Sequence, residues 1–242
     1  MRKQRTALID CDMVAYRCSG MVASNSGDAK DLEDIVPAVI RTWANEAFCE
    51  DIILCKGTRS FRCDVYPEYK ANRKDKPKPP LLPEARKVID DLDWKAKRIA
   101  GLEADDIQGI IATSEKDKYV IVNNDKDMLT IANVLVYDPD KMDFPEYTAY
   151  DTAWRNLWIQ IMTGDPTDNY KGIPKCGPVK ANKILDDPDN MYYTYAEVVA
   201  GEYEGAGLTR EYLLQMCRCA RILDSSLWNR ETKTFTLWNP YE

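Results

Sequence analysis

An α/β fold with a mostly parallel central sheet is what this sequence predicts, on three observations. Short apolar runs of strand length, at residues 6–10, 52–55, 119–122 and 134–137, recur along the first part of the chain. Between them lie stretches whose apolar positions follow helical spacing, and that alternation marks a parallel sheet covered by helices. Acidic residues also gather where apolar runs end: Asp10 and Asp12; Glu103, Asp105 and Asp106; Asp125 and Asp127; Asp165 and Asp168. A strand that ends in a carboxylate sets it at the carboxyl edge of the sheet, where open α/β folds keep their sites.

Residues 6–10 form the first strand. Leu32, Ile35, Val36, Val39, Ile40, Trp43 and Ala47 share one face of an amphipathic helix, with Pro37 near its start, where proline is least costly. Residues 52–55 are the second strand. Residues 56–82 lose periodicity and turn basic and proline-rich, a long excursion of the kind that serves function or stays disordered. Helices are expected over 83–98 and 103–114, a third strand over 119–122, a short helix over 125–131 and a fourth strand over 134–137. After Asp151 the character changes to helices over 152–163, 178–185, 192–200 and 210–223, with a short closing strand over 234–238. The expected division is an α/β core over 1–150 and a helical part over 151–242, packed as one unit.

The 242 residues suffice for a substantial core, and 45% hydrophobic with 30% charged content fits a soluble globular chain. No apolar run approaches the ~20 residues that span a bilayer. Met1-Arg-Lys-Gln-Arg-Thr leads straight into a strand instead of a signal-peptide core, so a cytoplasmic protein with no membrane partner is expected. The eight cysteines are scattered without a Cys-x-x-Cys pair, and there is no histidine. The usual structural zinc patterns are therefore absent, and so is Ser-His or Cys-His nucleophilic machinery. Any chemistry must rest on carboxylates, metals, lysine, arginine or tyrosine. Pooled carboxylates need cations, and hard oxygen ligands favour Mg²⁺ or Mn²⁺. The net charge of −7 conceals two basic stretches. Lys70, Arg73, Lys74, Lys76 and Lys78 face only Asp75, while Lys171, Lys175, Lys180 and Lys183 face no acid.

Each acidic group has a bland reading. Glu103, Asp105 and Asp106 open a helix, where acids complement the dipole, but three in four residues exceed what a cap needs. Asp125 and Asp127 suit a turn. Asp10 and Asp12 form a common Asp-x-Asp pair, and Leu-Ile-Asp-Cys-Asp-Met-Val also resembles the nucleophile motif of haloacid-dehalogenase-type phosphatases. The most specific segment is Gly164-Asp-Pro-Thr-Asp168-Asn-Tyr-Lys-Gly172-Ile-Pro-Lys-Cys-Gly177-Pro-Val-Lys180-Ala. Glycines at 172 and 177 would permit tight turns that aim N–H groups outward. A helix starting at Pro178 would receive a phosphate, and Lys180 and Lys183 add charge. Together they make a sequence-independent clamp on one nucleic-acid strand.

With these motifs in order, the chain resembles the structure-specific 5′-nucleases: flap endonucleases, the 5′-nuclease domain of bacterial DNA polymerase I, and phage 5′→3′ exonucleases. Residues 164–181 look like their helix–three-turn–helix motif, which grips duplex DNA and holds a monovalent cation, K⁺. Gly101-Leu-Glu-Ala-Asp-Asp106, Asn124-Asp-Lys-Asp127 and Asp10 to Arg17 look like their metal motifs. Arg62 to Arg73 resembles the base of their helical arch, which would span 62–100. The resemblance implies a PIN-like core and a divalent-metal-dependent 5′→3′ exonuclease or flap endonuclease of phage DNA replication or repair. The compact arch looks most like that of phage-encoded members. The implied partner is DNA with a 5′ end, flap or nick, met by a monomer. It implies one ion on Asp10, Glu103, Asp105 and Asp106, and a second on Asp125, Asp127, Asp165 and Asp168. Lys70 and Arg73 would contact the scissile phosphate, and Tyr69 would stack on a terminal base. Lys171, Gly172, Ile173, Lys175, Gly177, Val179, Lys180 and Lys183 would contact DNA. Two departures stand out: Cys55, or Gly57 in a shifted alignment, where the family has an aspartate, and Lys175 for a glycine. The first points to an alternative, a DNA-end-binding protein with weakened catalysis.

Overall fold

The computed structural model describes residues 4–74, 76–191 and 193–242. Asp75, part of the basic stretch, and Tyr192, the expected start of a helix, lie outside the described residues.

Strand β1 (Thr6–Asp10) is the buried centre of the fold, with Ala7, Leu8 and Ile9 fully enclosed. Asp10 ends it and caps the following helix α1 (Cys11–Ser24). Sequence periodicity does not mark α1, whose apolar residues Val14, Ala15, Cys18 and Val22 line one face. The chain continues through α2 (Leu32–Glu46), β2 (Asp51–Lys56), the short α3 (Arg62–Val65) and α4 (Leu82–Asp91). The helix expected to reach residue 98 stops at Leu92, whose backbone turns extended. Beyond it the chain forms an edge strand, β3 (Ala96–Arg98), because the Lys95 carbonyl accepts a bond from the Leu54 amide.

Then come α5 (Ala104–Ala112), β4 (Tyr119–Val122), a single turn at Lys126–Thr130, β5 (Leu135–Tyr137) and an unexpected antiparallel edge, β6 (Glu146–Tyr147). The sheet order is β3-β2-β1-β4-β5-β6, parallel except for β6. The direction of winding reverses between β1 and β4, so the crevice at their carboxyl ends is the switch point of the sheet. Helices α1, α2 and α4 cover one face, and α5 covers the other.

Four helices come next: α6 (Tyr150–Thr163), α7 (Pro178–Leu185), α8 (Tyr195–Gly205) and α9 (Arg210–Ala220). Strands β7 (Gly164–Asp165) and β8 (Tyr170–Lys171) pair between α6 and α7, and β9 (Trp228–Asn229) pairs with β10 (Thr234–Phe235) near the end. A third apolar cluster centred on Trp158, Tyr203 and Met216 joins these helices and takes in Tyr69. Among the described residues no helix is long and apolar enough to cross a membrane.

Where α5 meets the segment after α9, contact is backbone to backbone. A Cβ on Gly109 would lie 2.3 Å from the Leu223 carbonyl oxygen and 2.9 Å from the Ile222 side chain. Alanine gains about 1 kcal/mol of helix propensity, but overpacking against a fixed carbonyl costs about 1–3 kcal/mol. Gly109→Ala is therefore expected to lower unfolding stability, as measured by urea denaturation.

Candidate metal centre and nucleic-acid interface

Asp10 sits at the switch point because β1 ends there, and its Oδ1 accepts from the Asp12 amide at 2.8 Å and the Met13 amide at 3.3 Å. Across the crevice β4 runs into Asn123, 2% exposed. The Asn123 Nδ2 donates to Asp105 Oδ1 at 2.8 Å and Gln108 Oε1 at 2.8 Å, with a longer 3.3 Å approach to Asp10 Oδ2. Its Oδ1 accepts from the Asp125 amide at 3.0 Å. Gln108, itself fully buried, is oriented by donating to the Leu8 carbonyl at 2.8 Å. One neutral amide thus ties together the three segments that bring Asp10, Asp105 and Asp125. The sequence marks Asn123 only as a turn residue; the signal for its role is an amide at the end of a buried strand.

These carboxylates feel one another. Burial first, then the Asp12 charge, pushes Asp10 up to about 7. Burial and the charges of Asp10 and Asp125 raise Asp105 well above the usual range. Asp125, on the rim, is raised by desolvation and by Asp168 and Asp165. Burial and Asp125 push Asp127 up to about 7, although Gln160 donates to its Oδ2 at 2.7 Å.

The remaining acids are held by cations. Lys70 binds Glu103 and lies 3.4 Å from Asp168, Arg73 binds Asp168, and Lys126 lies 3.0 Å from Asp165. Burial opposes it, but Arg62 and Lys70 draw Glu103 down to about 2. Lys70 itself is held in the left-handed region at φ 55°, its amide bonded to the Asp168 carbonyl at 2.7 Å. A non-glycine residue there carries backbone strain of order 1–3 kcal/mol. Among the described residues no three acids or cysteines are spaced to hold one ion as they stand. Lysine and arginine contacts occupy Glu103, Asp165 and Asp168 in this arrangement. The donor set nonetheless suits a hard divalent cation: all oxygen, partly desolvated, and in excess over its own cations.

Two site residues depart from the sequence expectation. Asp106 is fully buried, and Arg62 grips both its oxygens at 2.7 and 2.8 Å. The Leu223 and Glu103 amides take its remaining lone pairs at 3.1 and 3.2 Å. Arg62 also donates to the Cys219 and Arg221 carbonyls. Enclosed and with every oxygen engaged, Asp106 braces the fold in this structure. Tyr69 is 4% exposed, its hydroxyl 2.9 Å from Glu103 and 2.7 Å from Asp168, its ring against Tyr170. It therefore has no free face for a base.

Cys55 lies in register with Asp10 and is fully buried, its thiol held protonated well above its ordinary value by burial first and by Cys11 and Asp10. The alternative position, Gly57, abuts α5: a Cβ there would stand 3.2 Å from the Ala104 amide nitrogen. Neither supplies a charge. Asp12 pairs outward with Arg86 at 2.8 Å.

The turn between α6 and α7 departs from expectation in detail. Gly164, at φ 69°, is the glycine that needs its conformation, and Lys175 adopts φ 59° without being glycine. Gly172 serves close packing, since a Cβ would lie 2.1 Å from the Met162 carbonyl oxygen. Ile173 is buried in the helical core and presents no side chain outward. Gly177 caps α7 with open space around it. Lys171, Lys175, Lys180 and Lys183 are exposed, Val179 is 75% exposed, and among the described residues none of the four lysines forms an ion pair.

The sequence profile described as 5'-3' exonuclease, N-terminal resolvase-like domain, matches residues 5–155. The chain belongs to this family. It is similar to a 5'-3' exonuclease of Buchnera aphidicola, 31% identical over an alignment of 165 residues, with 61% of this chain and 55% of that protein covered. It is also similar to the exodeoxyribonuclease of Enterobacteria phage T3, 28% identical over 208 residues, with 73% and 68% of the two chains covered. The chain thus spans little more than half to two thirds of these relatives. Among solved structures, the bacteriophage T5 flap endonuclease in a pseudo-enzyme-product complex with DNA and metal ions shares the fold. Its TM-score is 0.62 at 16% identity, covering 90% of this chain and 92% of that one.

Asp105 and Asp106 should separate cleanly. Asp106→Asn leaves the buried Arg62 with only the longer Glu103 contact and is expected to lose about 3–5 kcal/mol of stability; Asp105→Asn relieves repulsion and should lose little. Urea denaturation in chelator compares them. Asp10 and Asp127 ionise near a pH of about 7 in the folded chain, well above the ordinary carboxylate range of the unfolded one. The folded state then holds more protons, so this contribution to stability is lost as pH rises from about 5 to about 8. Glu103 and Asp165, both lowered, act the other way only in the acid range. Melting in chelator should therefore fall across that interval, and a flat or rising profile would refute the assignment.

Proposed function

We propose that this chain is a divalent-metal-dependent 5′-nuclease that hydrolyses DNA phosphodiester bonds near 5′ ends, as an exonuclease or flap endonuclease. The observation that carries the reading is a charge surplus. Asp10, Glu103, Asp105, Asp125, Asp127, Asp165 and Asp168 face three cations, Lys70, Arg73 and Lys126; with all seven ionised, as bound cations favour, the surplus equals the charge of two divalent ions. Family membership supports the same reading. We further propose that residues 1–150 form the nuclease core and that 151–242 supply the duplex grip while contributing Asp165 and Asp168 to the metal site.

Asp10, Asp105 and Asp125 with Glu103 on one side, and Asp127, Asp165 and Asp168 on the other, would hold Mg²⁺ or Mn²⁺. Bound there, such ions supply Lewis-acid polarisation of the phosphate and of the attacking water. Lys70 and Arg73 would be released from Glu103 and Asp168 and turn to the phosphoryl oxygens, where charge grows in the transition state. Arg73 suits a bidentate contact and Lys70 a point charge. Asn123 keeps Asp10 and Asp105 aligned without adding a positive charge that would compete with the ions. Away from the chemistry, the amino end of α7 with Lys180 and Lys183 would hold backbone phosphates, giving grip without sequence preference.

One observation favours a second reading, DNA-end binding with slow cleavage: neutral, buried Cys55 beside Asp10. The phosphatase reading draws no support from the fold or the family.

On a 5′-labelled flap with Mg²⁺, Asp105→Ala should lose cleavage yet retain DNA binding; equal cleavage by mutant and parent would sink the metal assignment. Lys180→Ala should weaken binding and lower the salt slope by about 1. A slope unchanged from the parent would count against the clamp.

A further inference from the structure

The far side of α5 from the acids carries a second feature. A cleft of about 730 Å³ runs beside β3, floored by Ile53, Ile110, Ile111, Tyr119 and Trp228. Ligand clefts span roughly 300–1,000 Å³. Its lining runs from Ser114 and Tyr119, at the trailing end of α5 and the start of β4, to Lys97 and Arg98 on β3, which is separated from β1 by β2. Its rim carries Lys95, Lys97, Arg98, Arg230 and Lys233 against one acid, Glu115. Glu115 is already paired with Lys118 at 2.8 Å, and Arg98 with Asp90 at 2.9 Å. Among the described residues Lys95, Lys97, Arg230 and Lys233 make no ion pair. A chain of net charge −7 has thus gathered unpaired positive charge around an apolar trough.

Strand β3 adds a second property. It is the edge of the sheet, paired with β2 alone, and all three residues are exposed. Alternate backbone N–H and C=O groups therefore face outward from the free edge of β3. Lysines on an edge strand are also a common guard against aggregation. That role does not call for an aromatic-floored cleft beside the strand.

We propose that this cleft docks an acidic peptide segment of a partner protein. The segment adds to β3 as a further strand, with apolar side chains toward Trp228 and carboxylates on the rim lysines and arginine. A single nucleic-acid strand fits less well. It makes no use of a strand edge, and both aromatic rings are half-buried in the floor, not presented as open stacking platforms.

The test uses the full chain and a fluorescein-labelled peptide alternating Asp with Phe and Leu, followed by anisotropy. Binding should saturate, weaken with salt, and fall about tenfold or more in a Lys97→Glu/Arg230→Glu double variant. That variant should keep the parent's melting temperature and flap cleavage. Amide exchange at residues 96–98 should slow on binding, a sign of strand addition that a purely electrostatic contact would not give. Trp228→Ala should also weaken binding; if it fails to fold, the charge-reversed variant alone decides. Failure to saturate, indifference to the charge reversal, or unprotected β3 amides would overturn the proposal. So would a labelled oligothymidylate that occupies the cleft in the peptide's place, read as loss of its binding in the same double variant.

Discussion

Carboxylates that share one sheet edge repel one another, and the surroundings of that edge are arranged to contain the repulsion. Asp10, Asp105 and Asp125 converge because β1, α5 and β4 meet at the switch point, and burial makes their charge costlier. Lys70, Arg73 and Lys126 neutralise the outer acids, Glu103, Asp168 and Asp165. Asn123 supplies hydrogen bonds where a further cation would compete with incoming ions. The strained backbone at Lys70 belongs to the same arrangement, since it is fixed by the Asp168 carbonyl and aims the ammonium at the acids.

The Arg62–Asp106 pair does a different job with the same residue types. Both side chains are enclosed, and their hydrogen bonds reach α5, the segment from Cys219 to Leu223 and the base of the excursion after β2. Such a pair is strongly destabilising to break because either partner alone is a buried charge. It also holds Glu103 ionised from behind, with Arg62 3.2 Å away. The ion pair thus joins Gln160–Asp127, Lys126–Asp165 and Arg73–Asp168 in tying the acidic edge to the helical part.

Much of the core is legible in the sequence. Strands 119–122 and 6–10, and the helix at Pro178, carry dense local signals: apolar runs bounded by acids, and proline at a first helical turn. Helix α1 escapes such a reading because Asp10 and Cys11 draw attention as the end of a strand while its apolar face is narrow. Strand β3 looks helical in sequence because Lys95, Ala96 and Lys97 favour helices locally; pairing with β2 overrides that preference. The two enclosed site residues share one cause. Asp106 and Tyr69 have the right chemistry at the right spacing, but burial and partners contributed from far along the chain settle what each can touch.

By itself the sequence determined the inventory: which strands end in acids, which loop is basic, and that without histidine the chemistry rests on oxygen ligands, lysine and arginine. These come from order and composition, which are local. Only the tertiary structure decided allocation. It set Asp105 in the crevice and Asp106 behind it, enclosed Tyr69, gave Asn123 the central position, and left an apolar cleft beside β3. Neighbouring residues on a helix point about a hundred degrees apart, roughly a quarter turn or more. Whether each meets solvent, an arginine or another acid depends on segments that only folding brings together.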